Sequence, residues 1–220
     1  WAVRSLRDGA KEAASTNEAL DYATANLPET SRLYALIVSE NAMQLEKVGQ
    51  IAQAIPLRRK ALAAILADPL SHRRDVAWQR LNLVPDLISI GARAEAAREL
   101  DAADADLKVA FGDNADIAWA SLENWRAQLA LESGDSLAAE RAFERALAWH
   151  ARIPHKQRFV GWMRGAAIAQ SLERIDLARE RLDRALAAAG NEAERQRAQA
   201  ALTALATAAG PSAAQPPVAR

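Results

Sequence analysis

Cysteine is absent from this sequence of 220 residues. A chain without cysteine forms no disulfide, no thiolate metal site and no cysteine nucleophile, so stapled extracellular domains and zinc fingers are excluded. An excess of positive charge is also missing, because Lys and Arg number 28 and Asp and Glu number 28. A dedicated nucleic-acid binder needs such an excess to displace counterions from phosphates. The absence of cysteine is compatible with a reducing compartment, and we predict a cytoplasmic location.

Long hydrophobic runs are missing too. The longest apolar stretch, residues 61–67, ends at Asp68 and Pro69, far short of the roughly 20 residues that span a bilayer. We therefore expect no membrane partner. The chain begins with Trp1 and not with Met, which we interpret as the start of a piece of a longer protein whose targeting signal or catalytic domain lies upstream.

Signatures of catalysis and cofactor binding are absent as well. The sequence has no glycine-rich phosphate loop, no nucleophile elbow and no HExxH motif. Its three histidines, His72, His150 and His155, have no carboxylate at metal-ligand spacing. The acidic residues between Glu95 and Asp106 follow a helix and not a cation-binding loop, so we interpret them as a solvated surface. We predict no enzyme activity, no cofactor and no metal.

Strong helix formers dominate what is present. Alanine makes up about a quarter of the residues, and Leu, Arg and Glu supply much of the rest. Segments that alternate apolar and β-branched residues with polar ones are nearly absent, so the composition predicts an all-α fold. The last residues, 210–220, contain three prolines and few apolar anchors, which predicts a disordered tail.

An internal repeat is the strongest feature of the sequence. Ala, a large apolar residue four positions later and a second Ala three positions after that recur in register, each set starting five residues after a turn position. The turn positions are Gly91, Gly134 and Glu173, and a weaker copy begins at Gly49 with Arg58 at the large apolar position. A glycine followed by such a stripe predicts a helix end, a turn and a second helix that packs against the first. In the copy at Gly134 we expect the charged residues to lie on the solvated side: Glu140, Arg141, Glu144 and Arg145.

This series, together with Trp162 followed by Ala166 and Ala169, resembles the tetratricopeptide repeat (TPR) family. The unit of that family is about 34 residues, whereas the alanine series here has a pitch of 39 to 43, similar to the longer variety of kinesin light chains and bacterial regulatory proteins. The resemblance implies an all-α, right-handed superhelical solenoid of antiparallel helix hairpins with about four units. The expected organisation is a divergent N-terminal helical segment (1–32), repeat units (33–75, 76–116, 117–157 and 158–189), a capping helix (190–209) and the tail (210–220).

The resemblance also implies a function, because the first helices of such units line a groove that takes an extended peptide or a partner helix. We therefore predict a non-catalytic protein-interaction module with a protein or peptide partner. The family's groove positions fall here on Asn82, Asn124, Gln128, Met163 and Gln170. An alternative is the C-terminal regulatory arm of a bacterial signalling protein, either a Ser/Thr kinase or a winged-helix transcription regulator.

A basic stretch with interleaved aromatic residues leaves a further alternative open. Residues 141–164 read as a patch for phosphates or single-stranded nucleic acid, with candidate contacts at Arg145, Arg152, Lys156, Arg158 and Arg164. In the other interpretation, Phe159 and Trp162 are core residues and the charges line a loop. We favour the second, because the acidic segment 91–116 balances the basic one and points to self-association or an acidic partner.

Overall fold

The fold was analysed on a computed structural model, which describes residues 17–153 and 157–208. All regular structure in these ranges is helical. The first helix, α1, covers residues 17–26 of the described part, and a turn at Pro28 leads to Ser31, which caps α2 by accepting the backbone N–H of Tyr34. The remaining helices are α2 (Arg32–Lys47), α3 (Ile51–Ala67), α4 (Arg73–Ser89), α5 (Arg93–Phe111), α6 (Ile117–Glu132), α7 (Ser136–His150), α8 (Phe159–Ser171), α9 (Ile175–Ala187) and α10 (Glu192–Ala208).

Four identical turns join successive helices into hairpins. In each turn one N–H bonds to the carbonyl three residues back and the next N–H to the carbonyl five residues back, a Schellman arrangement that satisfies the last carbonyls of a helix. The residue that carries the first of these two N–H groups has a positive φ: 78° at Gly49, 75° at Gly91, 80° at Gly134 and 58° at Glu173. These are the four turn positions of the sequence repeat, so the prediction of a helix end at each is confirmed.

The alanine stripe of the repeat forms the packed face of each second helix. Ala54, Ala96, Ala139 and Ala178 are completely buried, and Leu100, Phe143 and Leu182 are buried with them. A small residue lets two helices approach closely, and the large one fills the space one turn later. The predicted inward stripe is therefore confirmed, and the fold is built from it.

The chain divides into two compact units between Trp125 and Arg126. In the first unit, α2 packs on α3, α3 on α4 and α4 on α5. In the second unit, α7 packs on α8, α8 on α9 and α9 on α10, around a core of Phe143, Ile168 and Leu182. Neither unit, over the residues described, contains a helix with the length and apolar character needed to cross a bilayer.

Two predicted solvated residues are buried instead. Glu140 is 8% exposed because it pairs with Arg181, and Asp106 is 6% exposed because it pairs with Arg80 at 2.9 Å. The prediction of a solvated side was wrong at both positions, since a charge on the polar face of one helix meets an arginine of another helix in the same unit. Glu180 and Arg184, one turn apart on α9, form an exposed ion pair at 2.7 Å. The expectations for residues 1–16, His155, Lys156 and the tail 210–220 lie outside the described residues.

Candidate functional site

A small cavity opens in the first unit between the first helices of two consecutive hairpins, α2 and α4, with α3 at its base. Its volume is about 260 Å³. One of the predicted groove residues, Asn82, lies in its wall, beside Trp78 and Gln79 of the same helix. Three consecutive helices thus supply the lining, which makes the cavity a product of hairpin stacking and not of one loop.

The polar groups of this cavity are mostly acceptors. Glu40 of α2 is exposed and accepts a hydrogen bond from the Gln44 side chain at 2.9 Å. Asp75, at the start of α4, lies 2.9 Å from the half-exposed guanidinium of Arg32. Gln79 is only 5% exposed, and its Oε1 has no hydrogen-bond donor. A buried carbonyl oxygen without a donor is costly, so this amide has unused acceptor capacity in the cavity wall.

A buried ionic cluster lies at the base of the cavity. Arg58, 4% exposed, donates from Nε and Nη2 to Oε1 of Glu46 and from Nη1 to both the backbone oxygen (3.1 Å) and Oγ (2.8 Å) of Ser39. Its Nε lies 3.9 Å from Oδ2 of Asp86. Burial raises the pKa of Asp86 to about 7, and the neighbouring Glu46 carboxylate raises it as well. Arg58 opposes both effects but does not cancel them.

In the second unit, a residue of the predicted groove, Gln128, contacts a residue of the predicted basic patch, Arg164. Nε of Arg164 on α8 donates to Oε1 of Gln128 at 2.7 Å, and Nε2 of Gln128 donates to Oε1 of Glu132 at 2.6 Å. Burial lowers the pKa of Arg164 to about 10, and the Glu132 carboxylate acts in the opposite direction. Arg164 therefore stays charged at neutral pH, and it lies on the first-helix side with Gln128.

The other predicted groove residues have different environments. Asn124 donates from Nδ2 to the Ala120 carbonyl of its own helix at 3.0 Å. Met163 packs against two apolar clusters that α8 forms with α9 and α10. Gln170 is exposed near the end of α8. The structure thus brings Gln128 together with Arg164, and Asn82 together with the cavity, whereas Met163 contributes mainly to packing.

Three further residues of the predicted basic patch, Arg145, Arg152 and Arg158, are exposed in the second unit. Arg152 lies over the Trp149 ring at 4.6 Å, and Arg158 lines an open cavity of about 1020 Å³. Arg145 is exposed on α7, and Lys156 is outside the described residues. Phe159 is 3% exposed, and Trp162 packs on Phe143 with ring centroids 6.0 Å apart. These two rings are core residues, as the second interpretation of this stretch predicts.

Three residues were not predicted from the sequence: Gln79, which lines the cavity, and Arg58 and Arg181, which form buried ion pairs. Arg58 stands at the large apolar position of the weakest repeat copy, and that mismatch is the signal that could have identified a buried charge. Gln79 carries no such signal, because a glutamine in a polar-looking helix is ordinary.

Solved structures with the same fold are known. The crystal structure of BtubC (BKLC) from P. vanneervenii aligns with 93% of this chain and 84% of its own, at 20% identity and a TM-score of 0.69. The crystal structure of the Cut9–Hcn1 hetero-tetramer of the APC/C aligns with 90% of this chain but only 34% of its own, at 17% identity and 0.68. Nearly identical TPR-like repeats of a Podospora anserina protein described as a kinesin light chain align over 88% and 91%, at 18% identity and 0.65. No protein-family model matches the sequence, and no curated protein is significantly similar to it. The fold of this chain is that of the TPR-like helical repeat proteins.

Proposed function

We propose that this chain binds an extended peptide or a partner helix of another protein along the face formed by its first helices. TPR-like repeats are typically scaffolds for protein interaction, and that coarse role follows from the fold. The finer proposal is supported by the side chains of the first helices, which carry amides: Asn82 in the cavity wall and Gln128 beside Arg164. Amides can both donate to and accept from a peptide backbone.

The observation that carries the proposal is the cavity between α2 and α4. Within the first unit it is a gap between two first helices, at the place where a groove ligand would lie, and Trp78 lines it. Tryptophan is favoured at the centres of protein interfaces because it combines a large apolar area with a polar edge. We extend the proposal to a repeat domain spanning 33–189, with the unit boundaries given above.

The proposal is tested by selecting binders from a random peptide library displayed on phage, with the 220-residue chain as bait. Selected peptides are then measured by calorimetry against two groove variants, Asn82→Ala and the double variant Asn124→Ala with Gln128→Ala. We expect a loss of affinity of at least fivefold in one of the two, about 1 kcal/mol or more. Matched controls are Gln53→Ala on α3 and Gln199→Ala on α10, both exposed.

Unchanged affinity in both groove variants, or a loss caused equally by the controls, contradicts the proposal. The alternative role as a regulatory arm of a bacterial kinase or winged-helix regulator uses the same face, and it stays a hypothesis, as does the cytoplasmic location. Nucleic-acid binding through Arg145, Arg152 and Arg158 predicts affinity that falls steeply with salt.

A further inference from the structure

The cavity between α2 and α4 has at its base a cation whose hydrogen-bond donors are mostly engaged. Arg58 is the cation at its base, and four hydrogen bonds to Glu46 and Ser39 use most of the five donors of its guanidinium. The nearby Asp86 carboxyl lies 3.9 Å from Nε on the same side of the cluster as Glu46. A ligand with a negative charge would therefore find little left to bind at Arg58.

The acceptors of the cavity, by contrast, are not all paired with donors. Glu40 is an exposed carboxylate whose second oxygen is available beside the one that accepts from Gln44. Asp75 pairs through Oδ2 with Arg32, whose guanidinium is half exposed. Gln79 lines the cavity with a carbonyl oxygen that has no donor. This oxygen is screened from solvent, so an occupant reaches it only when the amide turns about its terminal torsion, which is soft in glutamine.

The shape and walls of the cavity fit one long, flat cation. Its volume of about 260 Å³ lies below the roughly 300 Å³ at which small-molecule sites begin, which suits a single side chain. Leu36, Met43 and Ile65 supply apolar contacts for an aliphatic stem, and the Trp78 ring offers a surface for a planar cation. A guanidinium combines an aliphatic stem with five donors in a plane.

We propose that this cavity binds an arginine side chain of a partner protein, with Glu40, Asp75 and Gln79 accepting from the guanidinium. The inference rests on the proposed function, because it names the residue of the bound peptide that enters the groove of the first unit. It makes the first unit selective for basic peptides although the chain as a whole is neutral.

The test is an NMR titration of the full chain with N-acetyl-arginine amide, followed through the indole N–H of Trp78 and the side-chain amide of Gln79. The matched probe is N-acetyl-citrulline amide, which has nearly the same shape without the charge. We expect the arginine probe to bind at this cavity about tenfold more tightly than the citrulline probe, a difference of about 1.4 kcal/mol.

Two variants of equal charge separate the cavity from general electrostatics. Glu40→Gln removes a cavity carboxylate, whereas Glu29→Gln removes an exposed carboxylate of the same unit that pairs with Lys60. We expect Glu40→Gln to weaken the arginine probe about threefold and Glu29→Gln to leave it unchanged. Both positions are exposed, so neither variant depends on the fold tolerating a core change.

The proposal is overturned if the citrulline probe binds as well as the arginine probe, if the shifts of Trp78 and Gln79 do not saturate at the highest soluble concentration, or if both variants behave alike. Its failure is distinct from failure of the proposed function. Library peptides that bind the groove without a preferred arginine would overturn this inference alone, whereas an absence of groove-binding peptides would overturn the function.

Discussion

Each of the two units buries one arginine on a second helix, and the two arginines are neutralised differently. Arg181 in the second unit makes two hydrogen bonds to Glu140, one to Glu144 and one to the Gly165 carbonyl, all between 2.7 and 2.9 Å, and lies over the Phe143 ring. Arg58 in the first unit also makes four hydrogen bonds, two to Glu46 and two to Ser39. Its one bonded carboxylate, Glu46, is partly exposed, and a second acid at 3.9 Å makes no short contact.

The difference shows that burial of a charge is stabilising only as far as its partners are completed. In the second unit two carboxylates and a backbone oxygen complete the shell of one guanidinium. In the first unit the Oδ2 atom of Asp86 has no hydrogen-bond donor, and the acid avoids the cost by holding a proton up to a pKa of about 7. The Asp86 carboxyl therefore makes the stability of the first unit depend on pH, and the cavity between α2 and α4 lies in the same unit.

Breaking the ionic cluster of Arg181 with Glu140 and Glu144 should cause the largest loss of stability. Arg181→Leu leaves Glu140 buried without its main partner, and removal of one member of a buried ion pair costs about 3 to 5 kcal/mol. Urea denaturation followed by circular dichroism measures the loss. The control is Arg195→Leu, an exposed arginine paired with Glu192, for which we expect less than about 1 kcal/mol.

The double variant Arg181→Leu with Glu140→Leu sharpens this result. Removing both charges relieves the unpaired carboxylate, so we expect more than half of the loss to be recovered. An Arg181→Leu variant no less stable than Arg195→Leu would show that the cluster adds nothing to the second unit.

Asp86, whose Oδ2 atom has no hydrogen-bond donor, should make the free energy of unfolding of the first unit depend on pH. The pKa of Asp86 is about 7 in the folded chain against an ordinary value of 3.8, so between these pH values the folded state holds a proton that the unfolded state has released. Stability from this group is complete below about pH 4 and is lost as pH rises to about 7. We expect Asp86→Asn to remove a decrease of about 2 kcal/mol between pH 5 and pH 8.

The measurement is the free energy of unfolding of the wild type and Asp86→Asn at several pH values. Asp101→Asn, an exposed acid on α5, serves as the control and should leave the slope unchanged. A slope that is the same in wild type and Asp86→Asn would mean that this carboxyl is already ionised at pH 5.

Arg58→Leu places the usual large apolar residue of the repeat at the position where the first unit deviates. Glu46 is partly exposed, so water can replace its partner, and Asp86 is protonated at about pH 6. We therefore expect a loss of only about 1 to 2 kcal/mol at that pH, less than for Arg181→Leu. Equal losses in the two variants, measured under the same conditions, would remove the distinction between the clusters.

The sequence predicts the features of this molecule that repeat locally. The turn positions, the buried alanines and the large residues between them recur at a regular pitch, and each depends on backbone geometry or helix approach within one hairpin. The networks escape prediction because their members are distant in sequence: Arg181 and Glu140 are 41 positions apart. Helix periodicity assigns Glu140 to the polar face, because it contains no information about the arginine of a distant segment that covers this residue.

Site residues divide in the same way. Asn82 is predicted by the family's groove positions. Its neighbour Gln79 is not, although the Oε1 atom of Gln79 is buried without a hydrogen-bond donor. Its burial depends on how α2 and α4 pack, which is a property of tertiary contacts and not of the α4 sequence. Arg164 shows the same limit, since a basic residue assigned to a surface patch bonds to Gln128 on the first-helix side.

The smallest expected effect concerns the turns, where the units also differ: the first unit has glycine at both of its turns, and the second has Glu173 at φ 58°. A residue with a Cβ is strained in this region, so Glu173→Gly should raise the free energy of unfolding by about 1 kcal/mol, after part of the gain is offset by a more flexible unfolded chain. Glu173→Ala is the matched control, because it removes the same side chain and keeps the strain. Gly91→Ala should lose about 1 kcal/mol, since a Cβ there meets nothing within 4 Å and only φ opposes it. If Glu173→Gly and Glu173→Ala melt at the same temperature, the side chain and not the backbone determines the stability of that turn, and the four turns are not energetically equivalent.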